Sequence, residues 1–517
     1  MELQLKRQSV AINETLCRTT VEQPIECDAL LPDYCPDIVK ILRCEVTPIL
    51  TGNQVSGSQL TVDGVAAARV FYLSDAGCLR SAEYKIPFSR VVEIKPSSSR
   101  PVVRVSPSVG YFNCRAVSPR RLDLRGAISL SILVTACREE DVVAGAEGMG
   151  VLTRGEEREV TRVTGQEVRP FTLREELELP SDKPSIRLPL RCSGFARITD
   201  KKQVAGKIVL KGELKLHVFY LCDGDDNQLD STDHTVPFSQ ILDVDGMEEQ
   251  TRCIVSLQVS SLDVQPKADP DGQSRVLALE AVLEAKVLCH RNETIPLVSD
   301  CYSTQYESSC QQKTVSLGRL AEAVDESHVY QESVDLPDGA VRILDLWCRV
   351  QGEEFSAEAG KATAAGRLLI SMFCSMEDGG MEYFDKTEPF THEIDIDCQR
   401  PMEFLGEFSI LDVGFTSSGS GRAEIRCEIG ITGPVYCSEP EAVLTSLTVD
   451  EEHPKEKDPS VSLTIYFADA GENLWEVAKR YNTSMEKILA DNGLTGTVIG
   501  EKRSLLIPCL LYTSRCV

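Results

Sequence analysis

A chain of 517 residues is long enough for several domains, and a 42% hydrophobic content supplies ordinary globular cores. Eighty acidic residues against fifty-four basic ones leave a net charge of −26, which repels phosphate backbones and anionic lipid and argues against nucleic acid as a direct partner. The most apolar windows, such as Ile128–Ala136, are too short to cross a bilayer, so no transmembrane segment is expected.

The N-terminal stretch, MELQLKRQSVAINETLCRTT, has no apolar run of the signal-peptide kind, and a cytoplasmic location is expected. In a large cytosolic chain the twenty cysteines read as buried reduced thiols, with no Cys-x-x-Cys pair and no zinc-ligand spacing among them. Cys289-His290 reads as a strand position.

Internal repetition organises the first 450 residues or so. A Pro-Phe-Ser/Thr triplet recurs at Pro87-Phe88-Ser89, Pro237-Phe238-Ser239 and Pro389-Phe390-Thr391, at intervals of 150 and 152 residues. Upstream of each lies a Leu-Pro pair (Leu31-Pro32, Leu179-Pro180, Leu336-Pro337), followed by a cysteine (Cys44, Cys192, Cys348). Between cysteine and triplet comes an apolar-aromatic strand: Val70-Phe71-Tyr72-Leu73, Val218-Phe219-Tyr220-Leu221, and in the third copy Met372-Phe373-Cys374 in place of Phe-Tyr-Leu. A period near 150 residues predicts one domain per copy. Within the copies apolar residues alternate with polar ones, as in Ile208, Leu210, Leu214, Leu216, Val218 and Tyr220, or Leu122, Leu124, Ile128, Leu130, Ile132 and Val134. This is the period of half-buried strands. One short helix per copy is possible after the Leu-Pro pair, as over Pro36–Leu42.

The predicted organisation is mainly β: three tandem antiparallel β-sandwich-like domains over 1–144, 170–312 and 313–449, the last the most divergent. A Gly/Glu/Arg-rich joint spans 145–169. A charged linker over 450–460 is expected to be a solvated tether that lets the C-terminal module reach a partner independently.

That module, 461–508, reads as a small βααβ unit. Strands over Leu463–Phe467 and Ser504–Pro508 bracket two helices, with starts marked by Asn473/Glu476 and Thr483/Glu486 and an end at Asn492-Gly493. The last nine residues, 509–517, resemble a translated sequencing-adaptor end and are set aside.

No catalytic constellation is present: no phosphate-binding Gly-x4-Gly-Lys-Ser/Thr loop, no Gly-x-Ser-x-Gly elbow, no His-Glu-x-x-His helix. The six histidines are scattered, and no enzyme, cofactor or metal is expected.

Gly471-Glu472-Asn473-Leu474-Trp475, Val477-Ala478, Asn492-Gly493-Leu494 and Leu505-Leu506-Ile507-Pro508, in that order and spacing, resemble a LysM domain. The resemblance implies a binding module with a shallow groove between the loops before the first helix and after the second. Its candidate residues here are Asp469, Ala470, Gly471, Glu472, Asn473, Asn492, Gly493, Leu494 and Thr495. Leu474, Trp475 and Ile488 read instead as packing. The repeated β domains followed by a LysM domain resemble the SipL-type spore-coat morphogenetic proteins, whose β repeats are SPOCS domains. That resemblance implies a non-enzymatic scaffold in the mother-cell cytoplasm, at the forespore or spore-coat surface. Its implied protein partner is the coat ATPase called stage IV sporulation protein A, with the LysM domain taking part in the contact. The alternative is a LysM-mediated binder of N-acetylglucosamine-containing peptidoglycan in the cell or spore envelope.

Overall fold

The structure, a computed structural model, describes residues 2–97, 101–204, 206–224, 227–245, 247–248, 250–418, 421–455 and 463–508. Residues 509–517 and the second half of the expected linker lie outside the described residues. The first copy contains β1 (Gln4–Leu30), β2 (Ile38–Ser56), β3 (Gln59–Ser74), β4 (Leu79–Glu93), β5 (Val102–Ser118) and β6 (Arg121–Glu147). The second contains β7 (Val151–Glu178), β8 (Ile186–Val204), β9 (Lys207–Cys222), β10 (Leu229–Asp243), β11 (Arg252–Ala268) and β12 (Ser274–Ser303). The third contains β13 (Tyr306–Asp335), β14 (Ala340–Glu358), β15 (Lys361–Met376), β16 (Met381–Asp395), β17 (Met402–Phe404), β18 (Glu407–Ser418) and β19 (Arg422–Pro454).

Each copy is built from two antiparallel sheets. One is a meander: β2-β3-β4, β8-β9-β10 and β14-β15-β16. In the other, the copy's first and last strands pair, and the remaining strand flanks the last: β1-β6-β5, β7-β12-β11, and β13-β19 with β17 and β18. The alternating residues of β9 and β12 meet in one core, Leu210, Leu214, Leu216 and Val218 facing Leu279, Ala281, Leu283 and Ala285. Equivalent cores join β3 to β6 and β15 to β19.

The Pro-Phe-Ser/Thr triplets have a specific packing role. Phe88 lies opposite Gly64 in the ladder, Phe238 opposite Gly212 and Phe390 opposite Gly366. Each buried ring covers its glycine. A Cβ at Gly64 or Gly212 would come within 2.3–2.4 Å of the ring edge, and one at Gly366 within 3.1 Å. The missing side chain is the space the ring occupies.

Several expectations need correction. Pro36–Leu42 is not helical. After a turn at 33–35 the chain enters β2 at Ile38, and pairing with β3 (Ile41 opposite Tyr72) overrides any helical tendency. The 145–169 segment is not a joint. Its first three residues complete β6, a tight turn follows at Gly148, Met149 and Gly150, all with positive φ, and 151–169 opens β7 against β12. Glu156, Glu157 and Glu159 are exposed and Arg154, Arg158, Arg162 and Arg169 half-buried, while Val160 and Thr161 are buried. In the linker, Asp450–Pro454 extends β19, and Lys455 is tied down by its backbone N–H to the Gln305 carbonyl (2.8 Å). Not all cysteines are free thiols. Cys253 and Cys289 are ladder partners on β11 and β12, with Cα atoms 4.3 Å apart, and are joined as a disulfide. In the third copy Asp345 opposes Phe373 just as Arg43 opposes Phe71 and Arg191 opposes Phe219. Phe373 is therefore the counterpart of Phe71, one position on from the sequence alignment.

The copies do not form separate beads. Val10, Ile12 and Val142 of the first, Val160, Ile295 and Leu297 of the second, and Val315, Leu317 and Val443 of the third make one shared core. A second shared core gathers Phe71, Phe219 and Phe373 with Trp347, Leu79 and Leu190. Phe373 stands 5.1 Å from the Phe71 ring and 6.3 Å from the Phe219 ring, centroid to centroid. Three equivalent phenylalanines meeting at one point give the body an approximate threefold arrangement.

Polar contacts cross the seams. Between copies two and three, Arg191 makes a two-pronged bond to Asp345 (2.6 and 3.0 Å) and stacks on Trp347 at 4.5 Å. Between three and one, the Trp347 indole N–H donates to Glu45, Arg349 donates to the Val46 carbonyl at 2.8 Å, and Lys40 pairs with Glu382.

Candidate functional site

The C-terminal unit consists of β20 (Leu463–Ala468), α1 (Leu474–Arg480), α2 (Met485–Asn492) and β21 (Arg503–Pro508). Asn473 caps α1, its Oδ1 accepting from Trp475 N–H at 2.9 Å. The cap of α2 is Ser484, whose hydroxyl accepts from Lys487 N–H, and not Thr483, one residue earlier and fully buried. Gly493 ends α2 in the left-handed region at φ 60°. Ala468, Leu474, Val477, Ala478, Ile488, Leu505 and Ile507 form the small core.

The two loops implied as groove walls are held side by side. Gly471 N–H donates to the Ile499 carbonyl (2.7 Å), Ile499 N–H to the Glu472 carbonyl (2.9 Å) and Leu474 N–H to the Thr497 carbonyl (2.8 Å). Within this frame the nine candidate residues separate by role. Asn492 turns inward, its side chain bonding the Ile488 and Leu506 carbonyls and accepting from Leu506 N–H, which clasps α2 to β21. Glu472 is engaged by the Tyr466 hydroxyl (2.7 Å) and by Asp469 N–H (3.1 Å), and that hydrogen bond from Tyr466 raises the tyrosine's pKa. Asn473 is the cap, Gly493 the helix end, and Leu494 packs on the small core. Asp469, Ala470, Gly471 and Thr495 are exposed on the loop surfaces, with Asp469 paired to Lys502 at 2.7 Å. Thr497, at the end of the second loop, and the half-exposed Val498 just beyond it belong to the same surface. Such a site offers backbone polar groups, a hydroxyl and small side chains, which suits recognition by shape and hydrogen bonding.

The opposite side of the module docks on the β body. Asp300 near the end of β12 is buried. It accepts from the Trp475 indole N–H (2.8 Å) and from the Lys479 ammonium (2.8 and 2.9 Å). Burial raises the Asp300 pKa, but the bonds to Lys479 and Trp475 outweigh it and the net direction is down. The Tyr302 ring meets Trp475 edge-on at 4.9 Å, and its hydroxyl donates to the Thr483 carbonyl at 2.6 Å. Arg154 lies over Trp475, and the Lys455 ammonium reaches Asn482 at 2.7 Å. The module is fastened through α1 and the inter-helix turn, and the loops over 469–473 and 493–498 stay on its exposed side. This corrects the expectation of an independently tethered module. Trp475 packs as expected, but against a neighbouring domain as well as its own.

Elsewhere, a cavity of about 210 Å³ opens at the seam between copies one and three, lined by Arg43, Cys44, Val109, Phe112, Trp347 and Arg349 among others. Among the described residues no group of three or more His, Cys, Asp or Glu side chains could hold a metal ion, and no helix is long and apolar enough to cross a membrane.

Fold and site define a β-rich body carrying a small βααβ module. The SipL, SPOCS domain family matches residues 37–117 and 186–267, and the LysM domain family matches residues 469–508. The chain carries SPOCS domain repeats of the SipL type and a C-terminal LysM domain. The two SPOCS matches cover β2–β5 and β8–β11, leaving most of the long paired strands outside. SPOCS and LysM domains are binding domains, and a SipL-type chain has an implied role in spore-coat morphogenesis. Comparison with curated proteins and with solved structures found no match.

Proposed function

We propose that this chain is a non-enzymatic scaffold of spore-coat assembly that binds stage IV sporulation protein A, with the LysM groove as part of the contact. The scaffold acts in the mother-cell cytoplasm at the forespore surface. The observation that supports this reading is the docked module: Asp300 and Tyr302 at the end of β12 hold Trp475 and α1 against the β body, and the groove loops are exposed. A module fixed in this way adds its surface to that of the body, so a large protein partner can engage both at once. The third copy, with the same two-sheet arrangement, serves as a further SPOCS repeat in this scaffold. Within the LysM groove, Asp469, Ala470, Gly471 and Thr495 are the residues proposed to meet the partner.

The LysM match also supports a second reading, recognition of N-acetylglucosamine glycan by the same loops. One experiment separates them. The intact chain and an Ala470→Arg/Thr495→Arg variant are tested against purified stage IV sporulation protein A and against purified peptidoglycan. Retention of the ATPase by the intact chain, weakened in the variant, supports the scaffold reading. Retention by peptidoglycan alone moves the assignment to the glycan, and equal ATPase binding by both chains moves the interface onto the β body.

A further inference from the structure

At the end of the body away from the LysM dock, the loop after the Leu-Pro pair is built alike in the first two repeats. In the first, Cys35 N–H donates to the Pro32 carbonyl (2.9 Å), the Arg120 guanidinium to the Cys35 and Pro32 carbonyls (3.0 Å each), and the Tyr72 hydroxyl to the Pro36 carbonyl (3.1 Å). In the second, Lys183 N–H donates to the Pro180 carbonyl (3.0 Å), Arg275 to the Lys183 and Pro180 carbonyls (2.7 Å each), and Tyr220 to the Pro184 carbonyl (3.2 Å). One backbone carries two different surfaces. Leu30, Tyr34 and Val39 are 69%, 88% and 69% exposed, and at the equivalent exposed positions stand Glu178, Asp182 and Arg187. Charged residues satisfy the fold there, so packing within the repeat does not account for the apolar set. Val117, 54% exposed, adjoins it: the next residue, Ser118, and Leu30 both oppose Arg121.

These four residues expose on the order of 400–500 Å² of apolar surface, toward the upper end for one patch on a monomer. A stable interface takes about 800 Å² from each partner, with an apolar centre and a polar rim. The rim here carries both signs. Arg120 pairs with Asp37 at 2.8 Å, Arg121 pairs with Asp28, and Asp33 is exposed beside Tyr34. Such a rim is complementary to itself across a twofold axis, where the acids of one copy face the arginines of the other. The remaining acidic surface opposes this little, because charges more than about 8 Å apart are screened at physiological salt.

We propose that this face of the first repeat joins two copies of the chain, with Leu30, Tyr34 and Val39 at the centre of the contact. Its place in the fold gives the dimer a use. β12 runs from Val276, opposite Glu178 at this end, to Ser303 beside the dock of the LysM module, and its 30 residues span on the order of 80–90 Å. Two copies meeting here hold their LysM modules at opposite ends of the assembly. On the scaffold reading above, the dimer links two separate partner molecules, and does not grip one of them twice.

The test is sedimentation velocity of the full chain from about 0.1 to 100 μM. Beside it run Leu30→Glu/Tyr34→Asp/Val39→Arg, the single change Tyr34→Asp, and Phe467→Glu on the exposed apolar face of β20. The second repeat shows that this loop backbone accepts the residues of the triple variant, and thermal melting checks that each variant is folded. The unmutated chain and Phe467→Glu should dimerise alike. The dissociation constant should rise at least about thirtyfold in the triple variant and in the same direction in Tyr34→Asp. A monomer at every concentration would overturn the proposal, and so would equal dimerisation by the unmutated chain and the triple variant. A dimer lost only in Phe467→Glu would overturn it by moving the contact to the C-terminal module. A monomeric chain whose retention of purified stage IV sporulation protein A fails in the triple variant would overturn it by giving the face to that partner.

Discussion

At the scale of single residues, the most consequential group is the charge cluster where the second and third repeats meet. Asp345 is fully buried and Arg191 nearly so, and each would be costly alone. His217 completes the set, bonding Asp345 through Nε2 (3.0 Å) and Asp233 through Nδ1 (2.6 Å). Asp345→Asn would strand the Arg191 guanidinium in the interior and should cost about 3–5 kcal/mol in denaturant unfolding. The pair Arg191→Met/Asp345→Leu should recover most of that loss, because both fully desolvated charges are removed and His217 keeps its bond to the exposed Asp233. Burial alone would depress the His217 pKa, but the bonds to Asp233 and Asp345 outweigh it and the pKa is pushed up to about 9. A histidine raised above its unfolded value stabilises fully below about pH 6.5 and loses that contribution as pH rises through 9. Thermal melts between pH 6 and 10 should therefore fall by the equivalent of about 3 kcal/mol, and His217→Gln should flatten that slope. Asp345 and Asp233 are shifted the other way. Burial opposes ionised Asp345, but Arg191 and His217 prevail, and the bond from His217 lowers Asp233. Their contribution is present above the ordinary carboxylate range and is lost only on acidification.

At the scale of elements, the glycine–phenylalanine ladder pairs make a graded prediction. Gly212→Ala would drive a methyl group into both the Phe238 ring and the Arg197 carbonyl, and Gly64→Ala would meet Phe88 and the Ile49 carbonyl. Each should cost about 1–3 kcal/mol by overpacking, measured as a shift in the denaturant midpoint. Gly366→Ala meets only side-chain atoms at 3.1 Å or more and should cost measurably less. Equal losses at all three positions would show that ring contact is not what excludes a side chain. The module's dock yields a second test. Asp300→Ala leaves the Trp475 indole N–H and the Lys479 ammonium without their acceptor, a loss of about 1–3 kcal/mol at this contact. Nuclear magnetic relaxation should then report faster tumbling of residues 463–508 than of the β body. Unchanged tumbling would mean that the contacts of Tyr302, Arg154 and Lys455 hold the dock without Asp300. The strands themselves were readable in the sequence because a half-buried strand writes its two faces in alternation, as Ile208 to Tyr220 does. The dock was not, since Asp300 and Trp475 are 175 residues apart and no local pattern links them. The 145–169 segment misled for a related reason: its arginines are half-buried and pair with carboxylates of distant strands, as Arg158 does with Glu441 and Arg162 with Glu139, and locally such a strand has the composition of a linker.

At the scale of the whole molecule, the repeats were legible as a period, but their closure was not. Periodicity shows that Phe71 and Phe219 are equivalent. It does not show that they and Phe373 meet, because the contact depends on how three copies are placed. The landmarks suggested three domains that could each stand alone. The structure instead divides two cores among all three copies, one around Val10, Val160 and Val315 and one around the three phenylalanines. A copy removed from the body would expose its share of both, and loss of the third would also leave Arg191 without Asp345. Residues 4–454 should therefore unfold in a single cooperative calorimetric transition, and the fragment 1–303 should be aggregated or partly unfolded at concentrations where the full chain is a well-behaved species. Phe373→Ala, at the meeting point of the copies, should cost about 3–5 kcal/mol and lower the melting of the whole body together. Resolved separate transitions, with only the third repeat sensitive to Phe373→Ala, would show that the shared cores add little, and that the scaffold is a chain of independent domains.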